Sequence, residues 1–154
     1  MQATVTQQPA RHLLALRHAG PYYEIGHTFE KLATFAQSHG IPMHESVAVY
    51  YDDPGVVPMH ELRSDAAVLV DAEFALPSDH PGAMHLTQLP AGEFITATYV
   101  GGYDGLSDAW SRFMGEAAPA LGHPIGGLTF EIYRSRCGED PNQLRTDLYV
   151  SVGH

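Results

Sequence analysis

The sequence predicts an α+β fold: two βαββ repeats related by a pseudo-twofold, making an antiparallel sheet with two main helices on one face and a ligand groove on the other. Three observations predict it. First, the chain repeats itself. Arg17-His-Ala-Gly20-Pro-Tyr22 returns as Thr98-Tyr-Val-Gly101-Gly-Tyr103, and Leu62-Arg63-Ser64-Asp65 returns as Leu144-Arg145-Thr146-Asp147, at offsets of 81 and 82 residues. Second, two segments share one helical apolar spacing, Ile25-Phe29-Leu32-Ala33-Ala36 and Leu106-Trp110-Phe113-Met114-Ala117. Third, 44% apolar residues, with six Phe, eight Tyr and one Trp in 154 residues, are enough to build a core and argue against disorder.

Each repeat opens on a strand, Leu13–Leu16 and Phe94–Val100, followed by a glycine turn and the helical stripe. Gly40 with Pro42 and Gly122 with Pro124 stop the two helices. Second strands follow at Val47–Tyr51 and Leu128–Tyr133. Turn-rich segments, Asp52-Asp-Pro-Gly55 and Gly138-Glu-Asp-Pro141, then lead to third strands at Ala66–Val70 and Leu148–Val152. Residues 1–154 therefore read as one domain, with repeats at about 10–72 and 84–153 and a linker at about 75–83. Met84-His-Leu86 adds a short strand at the head of the second repeat.

Eight basic against eighteen acidic residues give a net charge of −10. A phosphate backbone calls for clustered Lys and Arg, so direct nucleic-acid binding is not expected, whereas a cationic ligand or a basic protein surface suits the charge. The start lacks a signal-peptide pattern, no apolar run reaches the roughly 20 residues of a membrane span, and Cys137 stands alone, so the expected compartment is the cytoplasm. Cys137 between arginines reads as an incidental loop thiol rather than a reactive one. His44-Glu45 and His60-Glu61 begin like a zinc-protease helix but lack the second histidine, so no metal is expected, and no cofactor motif is present.

Within a repeat, duplicated features build the fold and unpaired ones are candidates for function. The duplicated Arg63/Asp65 and Arg145/Asp147 therefore read as hydrogen-bonded sheet residues. Glu131, inside Thr129-Phe-Glu-Ile-Tyr133, has Ala48 at its counterpart. Alternation puts Glu131 on one face with Thr129 and Tyr133, opposite Phe130 and Ile132. A carboxylate in such surroundings costs roughly several kcal/mol to bury unless it is paired, protonated or open to water. Tyr50, Tyr133, Trp110, Tyr103 and Tyr22 are the aromatic residues positioned to line a groove around it, with core packing as the alternative for Trp110 and helix-entry packing for the last two.

Val47-Ala-Val-Tyr-Tyr-Asp-Asp-Pro54, Pro58, Leu62-Arg-Ser-Asp65, Phe130-Glu-Ile-Tyr133 and Asp147-Leu-Tyr-Val150 resemble the GyrI-like family along nearly the whole chain. That family includes stand-alone DNA gyrase inhibitor proteins and the effector-binding domains of AraC-type and MerR-type multidrug regulators. The resemblance implies two βαββ units around a hydrophobic groove that takes drug-like, often cationic molecules, with Glu131 as counter-charge and Tyr133 beside it. With no helix-turn-helix pattern in the sequence ahead of these motifs, a complete transcription regulator is not expected.

Three readings follow. One is a small-molecule binding protein acting in toxin or drug resistance, in which Glu131 meets a cation and the aromatic residues supply surface. A second, implied by the resemblance, is a hydrolase of strained cyclopropane-type toxins, with Glu131 and Tyr133 as catalytic groups. The third is an inhibitor or protector of DNA gyrase that contacts its subunits.

Overall fold

The chain folds, in a computed structural model, into eight strands and two helices, described over residues 1–43, 45–134 and 140–153. His44 and Cys137 lie outside the described residues. The strands are β1 (Thr4–Gln8), β2 (Arg11–Ala19), β3 (Ser46–Tyr50), β4 (Arg63–Val70), β5 (Met84–Leu89), β6 (Gly92–Val100), β7 (Ile125–Tyr133) and β8 (Arg145–Val152). The helices are α1 (Ile25–Ser38) and α2 (Leu106–Arg112). Every described pairing is antiparallel, so the α+β class holds. The chain divides into two compact units, Ala10–Pro90 and Met1–Pro9 with Ala91–His154.

In the 10–90 unit the strand order is β3-β4-β2-β5. Leu14, Leu16 and Val68 from the sheet meet Leu32 from α1 in an apolar core. Thr28 is buried on the inner stripe of α1, whereas Ala33, expected there, faces water. Thr28 is held by His18. The Pro21 carbonyl 2.9 Å from His18 Nε2 can only accept, so in the neutral ring Nε2 carries the proton and Nδ1 takes the Thr28 hydroxyl at 2.7 Å. This stitches the turn to the helix. Gly40, at φ +66°, ends α1 in the left-handed conformation that the glycine stop predicts.

Two expectations need correction here. β5 does not open the second repeat: it pairs with β2, Leu86 opposite Leu14, and buries Met84 in the first core. Alternation in a short strand carries no information about its partner. The 75–83 stretch is also not the linker between the halves: it lies inside the 10–90 unit, where Leu76 packs against the same core.

That stretch is tied back by His39. Its Nδ1 faces the Phe35 carbonyl at 3.0 Å and its Nε2 faces Asp79 at 2.9 Å, two acceptors that only an imidazolium satisfies together. The bond to Phe35, followed by that to Asp79, raises the pKa of His39 above its ordinary value. The contribution is thus complete below the ordinary histidine pKa and fades as pH rises through the raised one. Amide exchange of residues 74–80 is expected to be faster in His39→Asn than in the native protein at about pH 5, with the two converging near pH 9. A gap of equal size at both values would contradict this.

In the other unit the order is β1-β6-β8-β7. Ile95, Ala97, Leu148 and Val150 pack under Ala109, Phe113 and Ala118. α2 runs into a π-helical turn over Phe113–Ala117, where the Ala118 N–H donates to the Phe113 carbonyl at 2.9 Å. The extra residue in that turn rotates Ala118 inward, so Ala117, expected on the stripe, is only half-buried. β1 pairs with β6, Thr4 opposite Thr96. Its polar sequence, Thr-Val-Thr-Gln-Gln, gave no strand signal.

Candidate functional site

Strand register decides which way Glu131 faces. It lies opposite Leu148, and Tyr133 lies opposite Thr146. Directly opposed residues share a face, and Leu148 belongs to the core beneath α2. Glu131 therefore points to the helix side of its sheet. This corrects the expectation that Glu131 lies on the face away from the helices. That other face is filled by Phe130, Tyr149 and Phe94, with the Phe130 and Tyr149 rings stacked at 4.6 Å and the Phe94 and Phe130 rings edge-on at 5.4 Å.

Glu131 is 1% exposed. The indole N–H of Trp110 donates to its Oε1 at 3.3 Å, longer than the usual 2.9–3.0 Å. Trp110 is positioned by Phe113, whose fully buried ring meets it edge-on at 5.6 Å. Tyr133, two residues from Glu131 on the same face, meets the ring of Tyr103 edge-on at 5.5 Å, and Tyr103 is half exposed. Glu131, Trp110, Tyr133 and Tyr103 thus share one unit. Thr146, opposite Tyr133, gives no signal of its own in the sequence because it duplicates Ser64. Both hydroxyls are fully buried, and neither has a hydrogen-bond partner among the described residues.

Tyr22 and Tyr50 belong to the 10–90 unit, where their rings lie 4.7 Å apart. The Tyr22 hydroxyl donates to the Asp52 carbonyl at 2.6 Å and accepts from the Asp52 N–H at 3.0 Å. Burial raises its pKa. It braces the loop that begins at Asp52.

The duplicated acids are hydrogen-bonded as their repetition suggests, although to arginines from elsewhere in the chain. Asp65 is fully buried and accepts from Arg17 Nε at 2.8 Å, from the Tyr51 hydroxyl and from His85 Nε2 at 3.2 Å. The Arg17 guanidinium sits 4.9 Å from the centre of the Tyr51 ring. Burial, then the bond to Asp65, pushes the Tyr51 pKa far up, so its hydroxyl stays protonated as a donor. Arg63 pairs with Asp52 at 2.9 Å. In the other unit Asp147 accepts from Arg134 at 2.8 Å and from Thr98 at 2.6 Å. The neutralising arginine comes from the first strand in one unit and from the residue after β7 in the other. The position of the aspartate is kept while the source of its counter-charge changes.

Among the described residues, no three His, Cys, Asp or Glu side chains gather as a metal ion would need, and no helix is long and apolar enough to cross a membrane. The Glu131 carboxylate, beside the Trp110 indole, thus lies on the helix-backed face of an antiparallel sheet in an α+β domain. The sequence pattern of the GyrI-like small molecule binding domain matches residues 1–152, and the chain belongs to this GyrI-like family. Curated relatives include the "DNA gyrase inhibitor" of Enterobacter lignolyticus, 32% identical over 99% of this chain and 97% of the relative. That of Serratia proteamaculans is 27% identical over 99% and 98%. Among solved structures, the EcmrR C-terminal domain matches with a TM-score of 0.72 at 17% identity, covering 99% of this chain and 97% of that one. A chain solved bound to tetraphenylphosphonium matches with 0.63 at 9% identity, covering 99% and 94%. At these identities the solved structures show the shared fold.

Proposed function

We propose that this protein binds a cationic, aromatic small molecule at Glu131 and acts in drug or toxin resistance. The observation that carries the reading is a carboxylate 1% exposed, on the helix face of its sheet, beside Trp110 and two residues from Tyr133. A ligand cation held there gains ion pairing where water is scarce, and each desolvated cation-π contact adds about 2 kcal/mol. An incoming cation would take the place of the long Trp110–Glu131 bond. Thr146 supplies a buried hydroxyl for a polar substituent.

Trp110 is the only tryptophan, so its fluorescence reports on the site. Titration with tetraphenylphosphonium is expected to change that emission saturably. Glu131→Gln should weaken the cation by at least about tenfold while leaving a neutral triphenylphosphine oxide within about twofold. Equal losses for both ligands would remove the charge argument.

A second reading, association with DNA gyrase, is supported by relatives of that name matched over 97–98% of their length and by the net charge of −10. It expects purified gyrase subunits to bind at about 50 mM salt and to weaken severalfold by about 300 mM. Salt-independent binding, or none, would rule it out.

A further inference from the structure

Besides the buried Glu131, the two units differ in a surface feature among the described residues. In the 10–90 unit, Tyr23, Val56 and Met59 are 77%, 79% and 56% exposed. Three such side chains on one turn and the loop it braces are unusual for a surface with nothing to meet. Between Arg134 and Leu144, the corresponding stretch of the other unit carries no Val, Ile, Leu, Met or aromatic residue, and the residue matching Tyr23 is Asp104. By the criterion that singled out Glu131, the patch is a functional asymmetry rather than part of the duplicated scaffold.

The loop is held in shape. The Tyr22 hydroxyl bonds the Asp52 backbone at the loop's start, and the Tyr23 hydroxyl reaches Met59 Sδ at 3.8 Å near its end. Between them the Asp53 carbonyl accepts from the Val56 and Val57 N–H groups, and Asp53 Oδ1 accepts from Gly55 N–H. An apolar tip already fixed in this way loses little conformational freedom on docking. Its exposed neighbours Glu24, Asp53 and Glu61 are acidic. The rim therefore favours a basic partner and disfavours a second copy of a chain whose net charge is −10.

We infer that Tyr23, Val56 and Met59, rimmed by Glu24, Asp53 and Glu61, form the surface with which this protein docks on a basic face of a DNA gyrase subunit. The inference rests on the gyrase reading above and is separate from the Glu131 site.

The test is a binding titration of the native full chain, Tyr23→Ser/Val56→Ser/Met59→Ser and Asp53→Asn/Glu61→Gln against purified gyrase subunits at two salt concentrations. Thermal midpoints serve as the folding control. The native chain is expected to bind, the apolar triple variant to lose at least about tenfold, and the charge variant to lose most of its salt dependence. Should the triple variant misfold, Val56→Asp alone, at the most exposed position, is expected to lose severalfold. Native binding with no loss in the apolar variants overturns the inference and leaves the gyrase reading standing. No native binding overturns both. A native dimer that the triple variant dissolves assigns the patch to self-association and overturns the inference as well.

Discussion

Phe113→Ala is expected to destabilise the protein by about 3–5 kcal/mol, read as a lowered urea midpoint. Phe113 is fully buried and central to the core of Ile95, Leu148 and Val150 beneath α2. It also heads the π-helical turn, so a cavity there has little freedom to collapse without moving Ala118. Because its ring positions Trp110, ligand-induced fluorescence should fall even under conditions where the variant remains folded. Met114→Ala is the control. Its side chain is half-buried at the same turn, and a loss near 1 kcal/mol is expected. Equal losses in the two variants would place the core elsewhere.

The second large effect concerns Asp65. Removing one partner of a buried ion pair costs about 3–5 kcal/mol, because the remaining charge stays buried. Here Arg17 is 39% exposed, and Tyr51 and His85 still donate to Asp65, so about 2–3 kcal/mol is expected for Arg17→Met after discounting for solvent. The double variant Arg17→Met/Asp65→Leu should recover most of the loss, since no charge is then left in the interior. Additive losses would show that Asp65 does not depend on Arg17.

How much could be read in advance follows from what each signal encodes. Alternating and β-branched residues marked β3, β4, β6 and β8, and the glycine stop at Gly40 marks where α1 ends; Gly122, also at positive φ, instead closes a 3-10 turn over Pro119–Leu121, ten residues past the end of α2. Such signals are local. Strand partnership is not local, which is why the place of β5 beside β2 and the existence of β1 beside β6 were not legible. The π-helical turn was also hidden, because a 3.6-residue period passes through Ala117 and gives no hint of the shift to Ala118.

At the candidate site, the asymmetry between Glu131 and Ala48 was visible in the sequence, as was the grouping of Glu131 with Tyr133. The face they share was not, since alternation separates two faces without saying which one the helix covers. Register opposite Leu148 decides that. Arg17 and Asp65 illustrate the same limit: 48 positions apart, they meet only because β2 and β4 pair at that register.

The central claim is that the carboxylate of Glu131 receives a cation. The most direct measurement is a crystal structure of the protein grown with tetraphenylphosphonium. The phosphonium is expected beside Glu131, with the Trp110 indole moved off Oε1 and the ring of Tyr133 against a phenyl group of the ligand. Density for the cation elsewhere, with the Trp110–Glu131 bond intact, would contradict the account.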